Sequence, residues 1–159
     1  MPEKEEFTRP DWDDVFVDIA IDISRRSACF RNKVGAVIVR DGKYVVSMGY
    51  NGAPIHQPNC QEIGFCYREK NKIISGTQLE KCRAVGSHAE SNAIAIAARL
   101  GQRTEGTTIY VVGHDVICDQ CRALIANSGI IRVLHQKSNG IREIFEPAKD
   151  WTRHRIDEE

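Results

Sequence analysis

Residues 107–135 hold two β-branched runs, "TTIYVVG" and "IIRVLH", separated by a helical run, "CDQCRALIANSG". A strand, a helix and a strand in that order constrain the fold more than any other stretch of the chain. Strands joined through helices call for a sheet covered by helices on its faces. The remaining pattern extends the unit. "DWDDVFVDIAIDISRRSACF" (11–30) reads as an amphipathic helix, with Val15, Ile19, Asp22 and Ile23 on a helical step, an acidic start and a basic end. "KVGAVIVRDGKYVVSMGYNG" (33–52) reads as a β-hairpin turning at Asp41-Gly42. "HAESNAIAIAARLG" (88–101) reads as a helix ended by Gly101, and residues 141–150 add a short helix or strand. The order α-β-β-α-β-α-β predicts an α/β fold, a three-layer α-β-α sandwich with a mixed central sheet. The helices starting near 88 and 118 follow two successive strands, so their N-termini meet at one sheet edge, where open α/β sheets bind ligands.

At 159 residues the chain reads as one domain, 1–159, with an N-terminal arm (1–11), an insert loop (51–87) and a charged tail (151–159). The insert is polar and carries three of the six cysteines; a segment this long is functional or pinned by something. Basic and acidic side chains balance at 22 each, so no global charge calls for a nucleic-acid partner. The charged start "MPEKEEFTRP" is no signal peptide and no apolar run spans a membrane. The expectation is a cytoplasmic protein with reduced cysteines, which are then buried thiols or metal ligands. His135 and His154 have no partner in the pattern.

Cys118 and Cys121 are two of those cysteines, three apart at a strand-to-helix junction. Taken alone they are a redox pair, part of a structural metal knot, or part of a catalytic metal site. His88 opens the other helix at the same sheet edge. One imidazole and two thiolates make three ligands for tetrahedral Zn²⁺ and leave a fourth position for water, whose pKa zinc lowers to about 7. Glu90, two residues past His88, is the candidate catalytic proton shuttle. An H-x-E followed by C-x-x-C is the signature of zinc nucleobase deaminases.

The segments "SACFRNKVGAVIV", "GYNGAP", "NCQEIGFC", "KCRAVGSHAESNAI" and "CDQCRALIANSGI" resemble, in order, the deoxycytidylate (dCMP) deaminase family of cytidine-deaminase-like zinc hydrolases, over about residues 12–135. The resemblance implies the cytidine-deaminase-like fold, a catalytic zinc on His88, Cys118 and Cys121, and Glu90 protonating N3 of cytosine and the leaving amine while water attacks C4. It implies substrate contacts from Asn51 and from the basic group Arg25, Arg26, Arg31 and Lys33, with Arg31 favoured for the 5′-phosphate. Relatives form homo-oligomers, commonly hexamers. Some carry a second, structural zinc, for which the remaining cysteines Cys29, Cys60, Cys66 and Cys82 are the candidates, or three of them with His56.

The turn "VVGHDVIC" departs from the family pattern: Ile117 stands where proline is expected, and the lead-in is about two residues longer. His114 in this turn is a substrate-loop residue, a group closing the metal's open position, or a solvent-facing histidine. The expected function is zinc-dependent hydrolysis of a free pyrimidine deoxynucleotide, dCMP to dUMP plus ammonia. The alternatives are a deaminase acting on another nucleoside, nucleotide or RNA base, and a catalytically silent zinc-stabilised binding module.

Overall fold

The computed structural model describes residues 7–150; residues 1–6 of the N-terminal arm and the whole tail 151–159, with His154, lie outside the described residues. Five strands form one mixed sheet: β1 (Gly35–Arg40), β2 (Tyr44–Tyr50), β3 (Thr108–Val112), β4 (Arg132–Gln136) and β5 (Arg142–Phe145), in the order β2-β1-β3-β4-β5. β1 runs antiparallel to both β2 and β3, β3 and β4 are parallel, and β5 is antiparallel to β4. The β1–β2 hairpin turns through residues 41–43, between the paired Arg40 and Tyr44; Asp41 and Gly42 both take positive φ, 53° and 65°, and the Lys43 N–H donates to the Arg40 carbonyl at 3.0 Å.

Period-2 alternation sorts the strand side chains onto two faces. Ala36, Ile38, Ile109, Val111 and Val133 pack against Ala89 and Ala93 of α4 (Ala89–Arg99) and Cys121 and Ile125 of α5 (Asp119–Asn127). Val37, Val39, Tyr110, Val112 and Leu134 pack against Phe16, Val17 and Ala20 of α1 (Trp12–Ser24). With both faces covered, the central strands read as nearly continuous apolar runs. This is the expected three-layer sandwich.

The first helix differs from its sequence reading in two ways. Its buried stripe is Phe16, Val17, Ala20 and Ser24, while Ile19 and Ile23 lie at the margin and Asp22 is exposed. The aromatic contact decides the rotation: the Phe16 ring sits 5.3 Å from that of Tyr110. The helix also stops at Ser24, whose hydroxyl donates to the Ile21 carbonyl at 2.6 Å and competes with the helical ladder.

The insert is not structureless. It holds two short helices, α2 (Cys60–Ile63) and α3 (Tyr67–Lys70), and a 3₁₀ turn (Leu79–Lys81). Asn59 and Glu62 cap α2 reciprocally, each side chain taking the other's backbone N–H at 2.9 Å. The buried Arg68 guanidinium donates to the carbonyls of Thr77 (3.0 Å) and Ile74 (3.4 Å), tying the far limb of the insert to α3. Residues 141–150 supply both elements left open: β5 and the short α6 (Pro147–Asp150). Among the described residues no helix is long and apolar enough to cross a membrane.

Candidate active site

β2 and β3 are both antiparallel to the β1 between them, so they run parallel to one another. The helices that follow them, α4 and α5, therefore start at the same sheet edge. A close approach at β2 sets the height of α4. A Cβ on Gly49 would lie 2.4 Å from the Ala89 carbonyl oxygen and 2.5 Å from the Ala93 nitrogen. The Ser47 hydroxyl then donates to the Ala93 carbonyl at 2.7 Å, and Asn92 Nδ2 to the Tyr50 carbonyl at 2.8 Å.

His88 and Cys118 are the N-cap residues of α4 and α5. His88 Nδ1 lies 3.4 Å from Cys118 Sγ and 3.5 Å from Cys121 Sγ, and all three donor atoms fall within 4.8 Å of one another. Tetrahedral zinc, with Zn–N near 2.0–2.1 Å and Zn–S near 2.3 Å, puts neighbouring N and S donors about 3.5 Å apart. Both N–S spacings match that geometry. It also decides between the readings of the cysteine pair, since a redox site has no need of an imidazole seated against both sulfurs.

The protonation of the trio agrees. A hydrogen bond from Cys121 and then one from His88 hold the Cys118 thiol down at about 4, despite burial. The same bond to Cys118, with burial, pushes the Cys121 thiol up. The bond to Cys118 raises His88. A divalent ion favours the thiolate form of both cysteines, which is the chemistry of a zinc ligand set. Two helix N-termini add partial positive charge at the same point.

Glu90 sits in the first turn of α4 and is 1% exposed. Its Oε1 lies 3.0 Å from His114 Nε2, whereas Oε2 is buried with no hydrogen-bond partner among the described residues. Burial works against its charge, but the His114 hydrogen bond leads the opposing causes, and the carboxyl lies below its ordinary value.

His114 is neither solvent-facing nor part of the donor trio: its side chain is 19% exposed and turned to Glu90. Ile117, in place of the expected proline, is 1% exposed and anchors the turn in the core beneath α4 and α5. His135, for which the pattern offered no partner, is also 1% exposed; its Nε2 lies 2.8 Å from the His114 carbonyl oxygen and 3.2 Å from His114 Nδ1. Its burial was readable, since it shares a strand face with Val133 by period 2. Its partner was not.

His88, Cys118 and Glu90 open on a cleft of about 230 Å³, also lined by Asn51, Arg31, Arg68 and His114, while Cys121 is buried. That is below the roughly 300–1,000 Å³ of drug-sized ligand sites and suits a compact ligand. The Asn51 amide oxygen accepts the Val34 N–H at 2.8 Å and its Nδ2 donates to the Asn32 carbonyl at 2.9 Å, so this side chain braces the cleft wall. Arg31 lies at the wall with Nε 4.0 Å from Glu69, whereas Arg25 pairs with Asp22 in solvent. Cys29, Cys60, Cys66 and Cys82 all line the cleft as free thiols, but among the described residues only the His88 trio gathers three donor atoms within 4.8 Å. Arg68 was missed at the level of sequence.

A family model described as the cytidine and deoxycytidylate deaminase zinc-binding region matches residues 10–137. A deoxycytidylate deaminase of Mycobacterium phage D29 is 39% identical over 135 residues, covering 83% of this chain and 99% of that protein. A deoxycytidylate deaminase of Enterobacteria phage T4 is 35% identical over 147 residues, covering 75% of this chain and 74% of that one. Among solved structures, the apo form of a dCMP deaminase from cyanophage S-TIM5 aligns with a TM-score of 0.59 at 25% identity, over 84% of this chain and 90% of that one.

Proposed function

The chain belongs to the cytidine and deoxycytidylate deaminase zinc-binding family, and from that membership we propose that it hydrolyses dCMP to dUMP and ammonia. It is a zinc-dependent deaminase, and we take residues 1–159 as a single deaminase domain. The observation that carries the reading is the convergence of His88, Cys118 and Cys121 beside the buried Glu90. Zinc held by those three ligands supplies the Lewis acidity that activates water at neutral pH.

The chain's own residues do the rest. Glu90 accepts the proton of the water that adds to C4 and hands it to N3. It then takes the second proton of the new hydroxyl and gives it to the amine as the C4–N bond breaks. The products are the 4-keto base and ammonia. Asn51 and Arg31, both on the cleft wall, are proposed contacts to the sugar and the 5′-phosphate. Turnover assayed over dCMP, dCTP, cytidine, guanine and tRNA tests the substrate. Ammonia release is expected from dCMP; silence there with turnover of another member overturns the choice.

A second, structural zinc on Cys29, Cys60, Cys66 and Cys82 is proposed on a separate observation. All four thiols line one cleft, and the Cys60 thiol is pushed up by burial and then by Cys66, Cys29 and Cys82. The Arg31 N–H donates to Cys29 Sγ at 3.4 Å, as outer donors do to a metal-bound sulfur. Two zinc ions per chain, falling to one in Cys60→Ser, support it; one per chain rejects it. A homo-oligomer, a hexamer as is common in the family, is proposed on the family resemblance, and a cytoplasmic setting is proposed as the sequence reading has it. Light scattering tests the first.

A further inference from the structure

The turn 113–117 is anchored at three points. Gly113 takes φ 102° and passes so close to Lys33 that a Cβ would lie 1.9 Å from the Lys33 carbonyl oxygen. Asp115 Oδ1 accepts the Ser138 N–H at 3.0 Å. Ile117 is buried in the core. Between these anchors the His114 ring lies with Glu90 on one side and His135 on the other.

A proton inventory fixes which nitrogen carries hydrogen. A carbonyl oxygen only accepts, so His135 Nε2, 2.8 Å from the His114 carbonyl, carries its hydrogen. That N–H also faces His114 Nδ1 at 3.2 Å. Two N–H groups cannot face each other there, so His114 Nδ1 presents its lone pair. The His114 hydrogen therefore sits on Nε2 and points at Glu90 Oε1, 3.0 Å away.

We propose that His114, held in the Nε2–H tautomer by His135, is a positioning residue for Glu90. It occupies Oε1 and leaves Oε2, which has no partner among the described residues, as the oxygen that exchanges protons with the reacting base. The role rests on the deaminase reading of the site. It accounts for the departure of this turn from the family pattern, because the longer lead-in supplies the histidine and the buried Ile117 seats it. Neither His114 nor His135 touches the substrate in this scheme. An oriented carboxylate reacts faster than one free to rotate, and lost positioning acts on kcat rather than KM.

The test combines kinetics with tautomer spectroscopy on the zinc-loaded enzyme. His114→Leu is expected to lower kcat for dCMP about tenfold to a hundredfold, with KM within about twofold. Zinc content and Tm should remain at wild-type levels. His114→Gln, whose amide can donate to Oε1, is expected to recover most of the loss. Imidazole ¹⁵N shifts should report the Nε2–H tautomer at His114 in the wild type and mixed tautomers in His135→Phe. An unchanged or raised kcat in His114→Leu, or an Nδ1–H tautomer at His114, overturns the proposal. A wild type inert on every base would fail the deaminase reading instead, and the tautomer measurement then decides the His135–His114–Glu90 chain alone.

Discussion

His88 Nδ1 and Cys118 Sγ stand 3.4 Å apart although the residues are 30 positions apart in the chain. Each caps a different helix, so an ion on this pair and Cys121 ties the starts of α4 and α5 together. Cys121→Ser should lower bound zinc by one equivalent per chain. Chelation of the wild type should lower its Tm, and added zinc should restore it. A ligand present at a thousandfold excess over its Kd stabilises by about 4 kcal/mol. Metal analysis with thermal denaturation checks both, and a Cys121→Ser protein with undiminished zinc would remove these ligands from consideration.

On the other face of the sheet, Arg132 holds Asp13 with two hydrogen bonds, at 3.1 and 2.8 Å, and the Tyr110 hydroxyl donates to the same carboxylate at 2.6 Å. The Arg132 hydrogen bond is the main cause that puts the Asp13 carboxyl below its ordinary 3.8. Burial and then the Asp13 hydrogen bond push the Tyr110 phenol up to about 12, so it remains a donor. A depressed carboxyl stabilises the fold above its unfolded pKa and loses that contribution as pH falls through the lower folded value. Stability of the wild type should accordingly drop below about pH 4. Asp13→Asn should lose on the order of 1 kcal/mol at neutral pH and show a shallower acid decline in urea titrations. Equal acid slopes in the two proteins would place the pH dependence elsewhere.

Gly49→Ala tests how α4 is placed. The added methyl meets the backbone at Ala89 and Ala93, not a flexible side chain, so the helix must move. Overpacking of this kind costs about 1–3 kcal/mol. Because His88 and Glu90 ride on the displaced turn, kcat should fall by more than the stability loss alone explains. Denaturant unfolding and steady-state rates at a temperature where both proteins are folded separate the two effects. A variant as stable and active as the wild type would contradict the close approach.

The layered architecture was legible because the strands announce themselves twice: β-branched runs with no polar face, as in "GAVIV" and "TIYVV", can only belong to strands covered on both sides. The metal trio was legible because each motif sits at a helix start, and the order of elements brings both starts to one edge. The His135–His114–Glu90 chain was not. Its contacts span 21 and 24 positions and depend on the path of a turn whose expected proline is absent. Arg68 escaped notice for a different reason. A cation in a polar segment reads as solvated, and its partners are backbone carbonyls, which leave no complementary side chain in the sequence. The end of α1 was misplaced because Ser24 spends its hydroxyl on the preceding turn, a choice that its residue type permits but does not require.

The most direct test is ammonia release from dCMP by the wild type and by Glu90→Gln, with zinc measured on the same samples. Replacing one carboxylate oxygen by an amide keeps the size of the side chain and removes its capacity to carry a proton. A general acid–base group contributes about 10²- to 10⁴-fold, so the variant should lose at least a hundredfold in kcat while retaining the wild-type zinc content. A Glu90→Gln protein that releases ammonia at the wild-type rate with its zinc in place would contradict the assignment of the proton shuttle and, with it, the mechanism built on this site.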